Sequence, residues 1–236
     1  MLIRAYLPKF ITALFGGLFI ALGIYSFGNA QIFDRVFLAI LIFTAIVCRE
    51  NINVVSVIVI ITIQLMIDEL AWPLINHLPY FKLILYLFSF WAIYYLSHDK
   101  LINLILPVLV LASAAEVYWQ ITDYPAPQIT WYIWLMLSNL LLRHLIMIRV
   151  GLIDEYFSSK GLSINLDWLM YKMALFTSIV HAAMLIEYLI RHIANMPNIL
   201  VVYTVFPYIL QGISTLYIWV IFHESYKLLL PKLMKV

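Results

Sequence analysis

The stretch INVVSVIVIITIQLMIDELAWPLI, residues Ile52 to Ile75, decides the fold. A helix needs about 20 mostly apolar residues to span a bilayer. This run is longer than that, and its carboxylates, Asp68 and Glu69, stand together towards one end. Seven similar runs follow outward in both directions: Phe10 to Phe27, Ile32 to Cys48, Pro79 to Ser97, Leu101 to Ile121, Ile129 to Val150, Leu166 to Ile193 and Ile199 to Leu230. Short polar or Pro-containing breaks separate them, such as Arg49-Glu50-Asn51, His98-Asp99-Lys100, Asp123-Tyr124-Pro125-Ala126-Pro127 and Asn195-Met196-Pro197-Asn198. The expected architecture is all-α, a polytopic helical membrane bundle of about eight spans. It forms a single transmembrane domain over residues 1–236, and Gly151 to Asn165 is its only sizeable loop. Neither an internal repeat nor a low-complexity tract is visible.

Composition supports this reading. Of 236 residues, 65% are hydrophobic and 11% charged, against roughly 25% charged in a soluble domain, and the mean hydropathy is +1.00. That excludes a soluble enzyme, a nucleic-acid binder and a disordered tail, none of which keeps so much apolar surface out of water. The net charge of +2 is too small to imply a polyanionic partner, and the single cysteine, Cys48, excludes an internal disulfide and any cysteine-based metal site.

Basic residues set orientation. With eight spans, Arg4, Lys9, Arg49, Lys100, Arg143, Arg149, Lys160, Lys172, Lys227, Lys232 and Lys235 fall on one side, leaving Arg35, Lys82 and Arg191 on the other. Both termini are therefore expected to be cytoplasmic, in a plasma or inner membrane. The weakest span is the second, where Asp34-Arg35 interrupts the apolar run. If it does not cross, Arg4, Lys9 and Arg35 change sides and the asymmetry is slightly smaller. Arg4 and Lys9 ahead of an apolar run, with Gly28-Asn29-Ala30 after it, resemble a signal peptide. A run of this length is expected to stay as an anchor. Aromatic residues mark the interfaces independently: Trp72, Tyr80, Trp119, Tyr124, Trp131, Tyr132 and Trp134 outside, and Tyr94, Tyr95, Tyr156, Trp168, Tyr171, Trp219 and Tyr226 inside.

Polar groups in hydrocarbon are costly and mark a pathway or a pairing. Counting along the helices gives two layers. Gln64, Asn139, His181 and Gln211 fall near mid-span. Asp68, Glu69, Glu116 and Glu187 lie in the outer half, with Asp123 at the mouth. Residues three or four apart share a helix face. Ser113, Glu116, Gln120 and Asp123 thus form a polar stripe, and Glu187 is expected to pair with Arg191. Deeply placed Arg143 needs a partner, for which Glu224 is a candidate by depth, or a snorkel to the interface. The expected pathway or binding residues are Gln64, Asp68, Glu69, Glu116, Gln120, Asn139, His181, Glu187, Arg191 and Gln211. Asp68, Glu116 and His181 are expected to face one cavity open to the outside, attracting cations. On the structural alternative the same groups satisfy one another between helices. His181 stands out because a neutral imidazole is tolerable at mid-span and can relay a proton.

No cofactor or metal is expected, since His144 and His223 fall at a different depth from His181. No HExxH, phosphate loop or GxSxG is present, and Gly212-Ile213-Ser214 is only half of a hydrolase turn. Pro207 is expected to kink the last helix, whose basic end projects beyond the bilayer towards anionic lipid or a partner. Ala13, Gly17 and Ala21, with Gly16 and Gly23 beside them, permit close packing within the bundle or against a second copy. Beside the lipid bilayer, the expected partners are a cation or small polar solute and a possible homo-oligomeric or membrane partner. Three functions remain: translocation of a cation, proton or small polar solute; a non-catalytic accessory, immunity or anchoring subunit; and a lipid-modifying enzyme.

Overall fold

The computed structural model describes residues 2–124, 129–157 and 161–233. Pro125, Ala126, Pro127, Lys160 and Lys235, used above to place breaks and charges, lie outside the described residues. Eight α-helices and no strand occur among those residues: α1 (Leu2–Tyr25), α2 (Ala30–Val47), α3 (Ile52–His77), α4 (Pro79–Tyr95), α5 (Ile102–Ile121), α6 (Thr130–Tyr156), α7 (Asn165–Ile193) and α8 (Val201–Leu233). Five of them, α3, α5, α6, α7 and α8, are long and apolar enough to cross a membrane. Shorter apolar stretches occupy Ala13–Tyr25 and Tyr80–Tyr95. This is the build of an integral multi-pass membrane protein, with fewer than eight helices meeting the length and hydropathy expected of a span.

Local chemistry sets the helix ends. Asn29 accepts a hydrogen bond from the Ile32 N–H at 3.2 Å and caps α2. Pro79 opens α4, where its missing N–H is no loss. Asp123 closes α5 with a left-handed φ of 51°. The N–H of Tyr124 then reaches back to the Trp119 carbonyl at 3.1 Å, a Schellman closure. A short polar side chain tolerates this backbone where a branched one would not. Two expected boundaries moved. α1 begins several residues before Phe10, and α6 continues through Tyr156, burying Ile153 on its added turn.

Hydroxyls within the helices bond their own backbone. Thr44, Thr62, Ser89, Ser178 and Thr215 each donate to the carbonyl four residues earlier. That is how a serine or threonine is accommodated where no water competes.

Two compact units emerge from the backbone contacts. The first comprises Met1–Thr62, Ile146–Met173 and Tyr208–Val236; the second comprises Ile63–Leu145 and Ala174–Pro207. In the first, α1 approaches α8 through glycines. A Cβ at Gly23 would lie 2.5 Å from Thr215 Oγ1, and one at Gly16 would lie 3.0 Å from Trp219 Nε1. Phe15 stacks on Phe222 at 4.5 Å, and Gln211 donates to the Gly23 carbonyl at 3.0 Å. Gly16 and Gly23 thus serve internal packing, while Ala13, Gly17 and Ala21 face outward. The core of the second unit joins Leu85 and Ala92 of α4, Leu109, Ala112, Ala115 and Trp119 of α5, Met136 and Leu140 of α6, and Leu185 of α7. Small residues on α5 let its neighbours come close, so that dispersion rather than exclusion of water holds the helices together in lipid.

Candidate functional site

The mid-span polar groups are hydrogen-bonded to the protein itself. Gln64 donates to Ser138 Oγ at 3.1 Å, and Asn139 donates to the Leu135 carbonyl at 2.7 Å. Gln211 reaches the Gly23 carbonyl and Ser26 Oγ. His181, 3% exposed, places Nδ1 2.8 Å from the Thr177 carbonyl, so that nitrogen carries the proton, and its ring meets Phe206 edge-on. Of the outer carboxylates, Asp68 accepts from the Trp134 indole N–H at 2.7 Å, whereas Glu69 is exposed.

One expected pairing is corrected. Glu187, 4% exposed, does not pair with Arg191. It accepts from the backbone N–H groups of Val202 at 2.6 Å and Tyr203 at 2.9 Å, capping the start of α8. A buried carboxylate at a helix N-terminus meets unpaired amides and the positive end of the helix dipole together, which outweighs a one-turn ion pair on α7. Arg191 instead lies over the rings of Tyr188 and Tyr203, each centroid 5.8 Å away. Arg143, for which depth made Glu224 a candidate, has a partner within its own unit. It forks onto Asp99 at 2.8 and 2.7 Å, while Glu224 takes Lys227 at 2.8 Å and Asn165 at 2.9 Å. A planar guanidinium with a carboxylate in bidentate reach forms the stronger contact.

Glu116 is different. It lies on α5, 9% exposed, and among the described residues its one hydrogen-bonded or ion-paired partner is Lys82 of α4, whose Nζ stands 3.5 Å from Oε1. α4 and α5 pack as neighbours, and Lys82 sits three residues into α4 while Glu116 sits five before the end of α5. Around them lies a cavity of about 470 Å³, lined by Lys82, Glu116, Trp119, Gln120, Asp123 and Tyr124. Gln120, Asp123 and Tyr124 are exposed, so the cavity opens at the surface. Glu116, Gln120 and Asp123 belong to the stripe read from the sequence, and the left-handed turn at Asp123 brings that residue and Tyr124 round to the cavity. Ser113, the fourth member, bonds the Leu109 carbonyl. Behind the wall, Tyr124 Oη lies 3.0 Å from His192 Nδ1, and the His192 ring stands edge-on to Trp119 at 6.2 Å.

The structure therefore divides the predicted site residues. Glu116 and Gln120 share the cavity. Asp68 and His181 are not among its lining residues, so the three groups expected to face one cavity do not do so there. The sequence reading missed Lys82, Trp119 and Tyr124 as members. Trp119 was detectable, standing three residues after Glu116 on the same face; Lys82 belongs to another helix and carried no such signal. Among the described residues no group of His, Cys, Asp and Glu could hold a metal ion. His144 meets Tyr95 edge-on, and His223 stacks on Trp219.

The chain matches no protein-family model, and neither a curated protein nor a solved structure is significantly similar to it.

Proposed function

We propose that this is a plasma- or inner-membrane protein of eight spans with both termini cytoplasmic, which takes a small solute bearing a positive charge into the Glu116 cavity from the outer side. One observation carries the reading: a carboxylate buried to 9% exposure has, among the described residues, a single hydrogen-bonding partner, at 3.5 Å, in a cavity open to the surface. A buried charge ordinarily collects several hydrogen bonds. Asp123 adds negative charge at the mouth, and Tyr124 and Trp119 add aromatic faces suited to a cation. The volume lies in the range of small-molecule sites, about 300–1,000 Å³.

The reading narrows the wider pathway that the sequence suggests. Gln64, Asp68, Asn139, His181, Glu187 and Gln211 act in it as packing groups rather than as steps for the solute, because each has a hydrogen-bond partner within the protein, and Arg191 packs against the rings of Tyr188 and Tyr203. Those internal bonds, with the outward Ala13-Gly17-Ala21 face, also favour a second reading: a non-catalytic membrane subunit that binds without transport.

Reconstituted liposomes distinguish the two. Transport predicts uptake of a radiolabelled organic cation that Glu116→Gln lowers severalfold at unchanged protein incorporation. Binding sensitive to Glu116→Gln without any uptake selects the subunit reading, and binding indifferent to Glu116→Gln overturns the site. Cysteines placed at Asn29 and Asn198 should label from outside; a cytoplasmic Asn198 would reverse the orientation.

A further inference from the structure

We infer that the ligand of the Glu116 cavity is a zwitterion, carrying an ammonium group for Glu116 and an anionic group for Lys82 on one small molecule. The inference rests on the site proposed above and specifies its chemistry.

The Lys82–Glu116 pair is loosely made. At 3.5 Å, with Lys82 36% exposed and Glu116 11% exposed in their side chains, it is long for an ion pair and holds only one carboxylate oxygen. Oε2 of Glu116 has no hydrogen bond to the described residues, and Lys82 has a single acceptor where an ammonium can serve three. Both charges are thus half-satisfied and both line the same cavity. A bare cation would have to compete with Lys82 for Glu116 and then face its positive charge. A bare anion would meet Glu116 and Asp123 in the same way. A zwitterion replaces one loose pair by two closer ones at no change in net charge, which is the exchange that such a cavity favours.

A second observation points to the anionic end. Trp119 is 1% exposed and lines the cavity, and its indole N–H has no acceptor among the described residues. Buried tryptophan N–H groups are normally bonded. An anion drawn in beside Lys82 supplies an acceptor of the kind this donor lacks, and Trp119 and Tyr124 offer ring faces to the ammonium.

The surroundings suggest where such a molecule is found. Leu83, Ile84 and Leu87 beside Lys82, and Val117, Tyr118 and Ile121 beside Gln120, are exposed apolar residues, which in a membrane protein face lipid. A zwitterion beside this surface has two sources, the bilayer or solution, and an aminoalkyl phosphate is a chemistry common to both, as a phosphatidylethanolamine headgroup reaching in from the bilayer or as a free molecule.

The full-length protein would be titrated calorimetrically in detergent with glycerophosphoethanolamine, tetramethylammonium and glycerophosphate, and native mass spectrometry would follow retention of phosphatidylethanolamine against phosphatidylglycerol from mixed nanodiscs. Glycerophosphoethanolamine should bind at least about tenfold more tightly than either singly charged probe. Lys82→Gln should abolish that preference while tetramethylammonium binding is kept or strengthened, because Glu116 is freed; that retained binding also shows that the variant is folded. Lys82→Arg should keep the preference. Selective retention of phosphatidylethanolamine without binding of the soluble probe assigns the site to lipid, and the converse assigns it to a free solute. Tetramethylammonium binding as well as glycerophosphoethanolamine, with both indifferent to Lys82→Gln, overturns the zwitterion and leaves the cation site standing. Glu116→Gln without effect on any probe overturns both.

Discussion

Arg149 and Glu116 are both charged, both at least nine-tenths buried and both on long apolar helices, yet their surroundings differ in kind. Arg149, 1% exposed, forks onto Asp167 and also donates to Asn53, Ser56 Oγ and the Leu162 carbonyl. Asp167 in turn accepts from the Ile164 N–H, and Asn53 Oδ1 from the Leu162 N–H. The cluster fixes the segment that enters α7 and offers no donor to a ligand. Glu116 has one long contact and a cavity. A buried charge saturated by protein holds the fold, whereas a half-saturated one beside open space is positioned to bind. What separates the two roles is saturation, since both groups are charged and both are buried.

The sharpest way to break the contrast is to remove Arg149. Arg149→Met strands the Asp167 carboxylate and unties Asn53 and Leu162, so it should cost about 3–5 kcal/mol, read as a large fall in thermal unfolding temperature in detergent. An unfolding temperature within a degree or two of the wild type would show that the cluster is incidental.

A smaller loss is expected at the cap of α8. Glu187→Ala removes the acceptor for two backbone amides and should cost about 1–2 kcal/mol. Arg191→Ala should cost less. The coupling between the two substitutions should stay below about 0.5 kcal/mol, since Arg191 touches rings rather than the carboxylate. A coupling well above that value would restore the ion pair.

The smallest stability effect belongs to the proposed site. Glu116→Gln should shift stability by no more than about 1 kcal/mol, because the partner is over a third exposed and the pair is long. Its consequence should appear in binding instead. A destabilisation comparable to that of Arg149→Met would place Glu116 with the structural charges.

Much of this molecule is local, and that part was written in the chain. A run of about 20 apolar residues becomes a helix wherever it is placed in lipid, because the backbone has no other partner there. The eight runs and most of their ends were therefore legible, including the Glu116-Gln120-Asp123 face of α5, which follows from helical spacing alone. Two helix ends and the number of full-length spans aside, the failures arose from contacts between elements. Spacing shows that Glu187 and Arg191 share a face, but not that two amides at the start of α8 lie closer to the carboxylate. Depth makes Glu224 a candidate for Arg143, but the turn between α4 and α5 presents Asp99 to it instead. Lys82, counted only as an outer charge, enters the candidate site because α4 packs against α5. Periodicity determines which residues share a face; only the packed structure determines what that face meets, since many pairings satisfy the same groups and the choice depends on contacts along the whole helix.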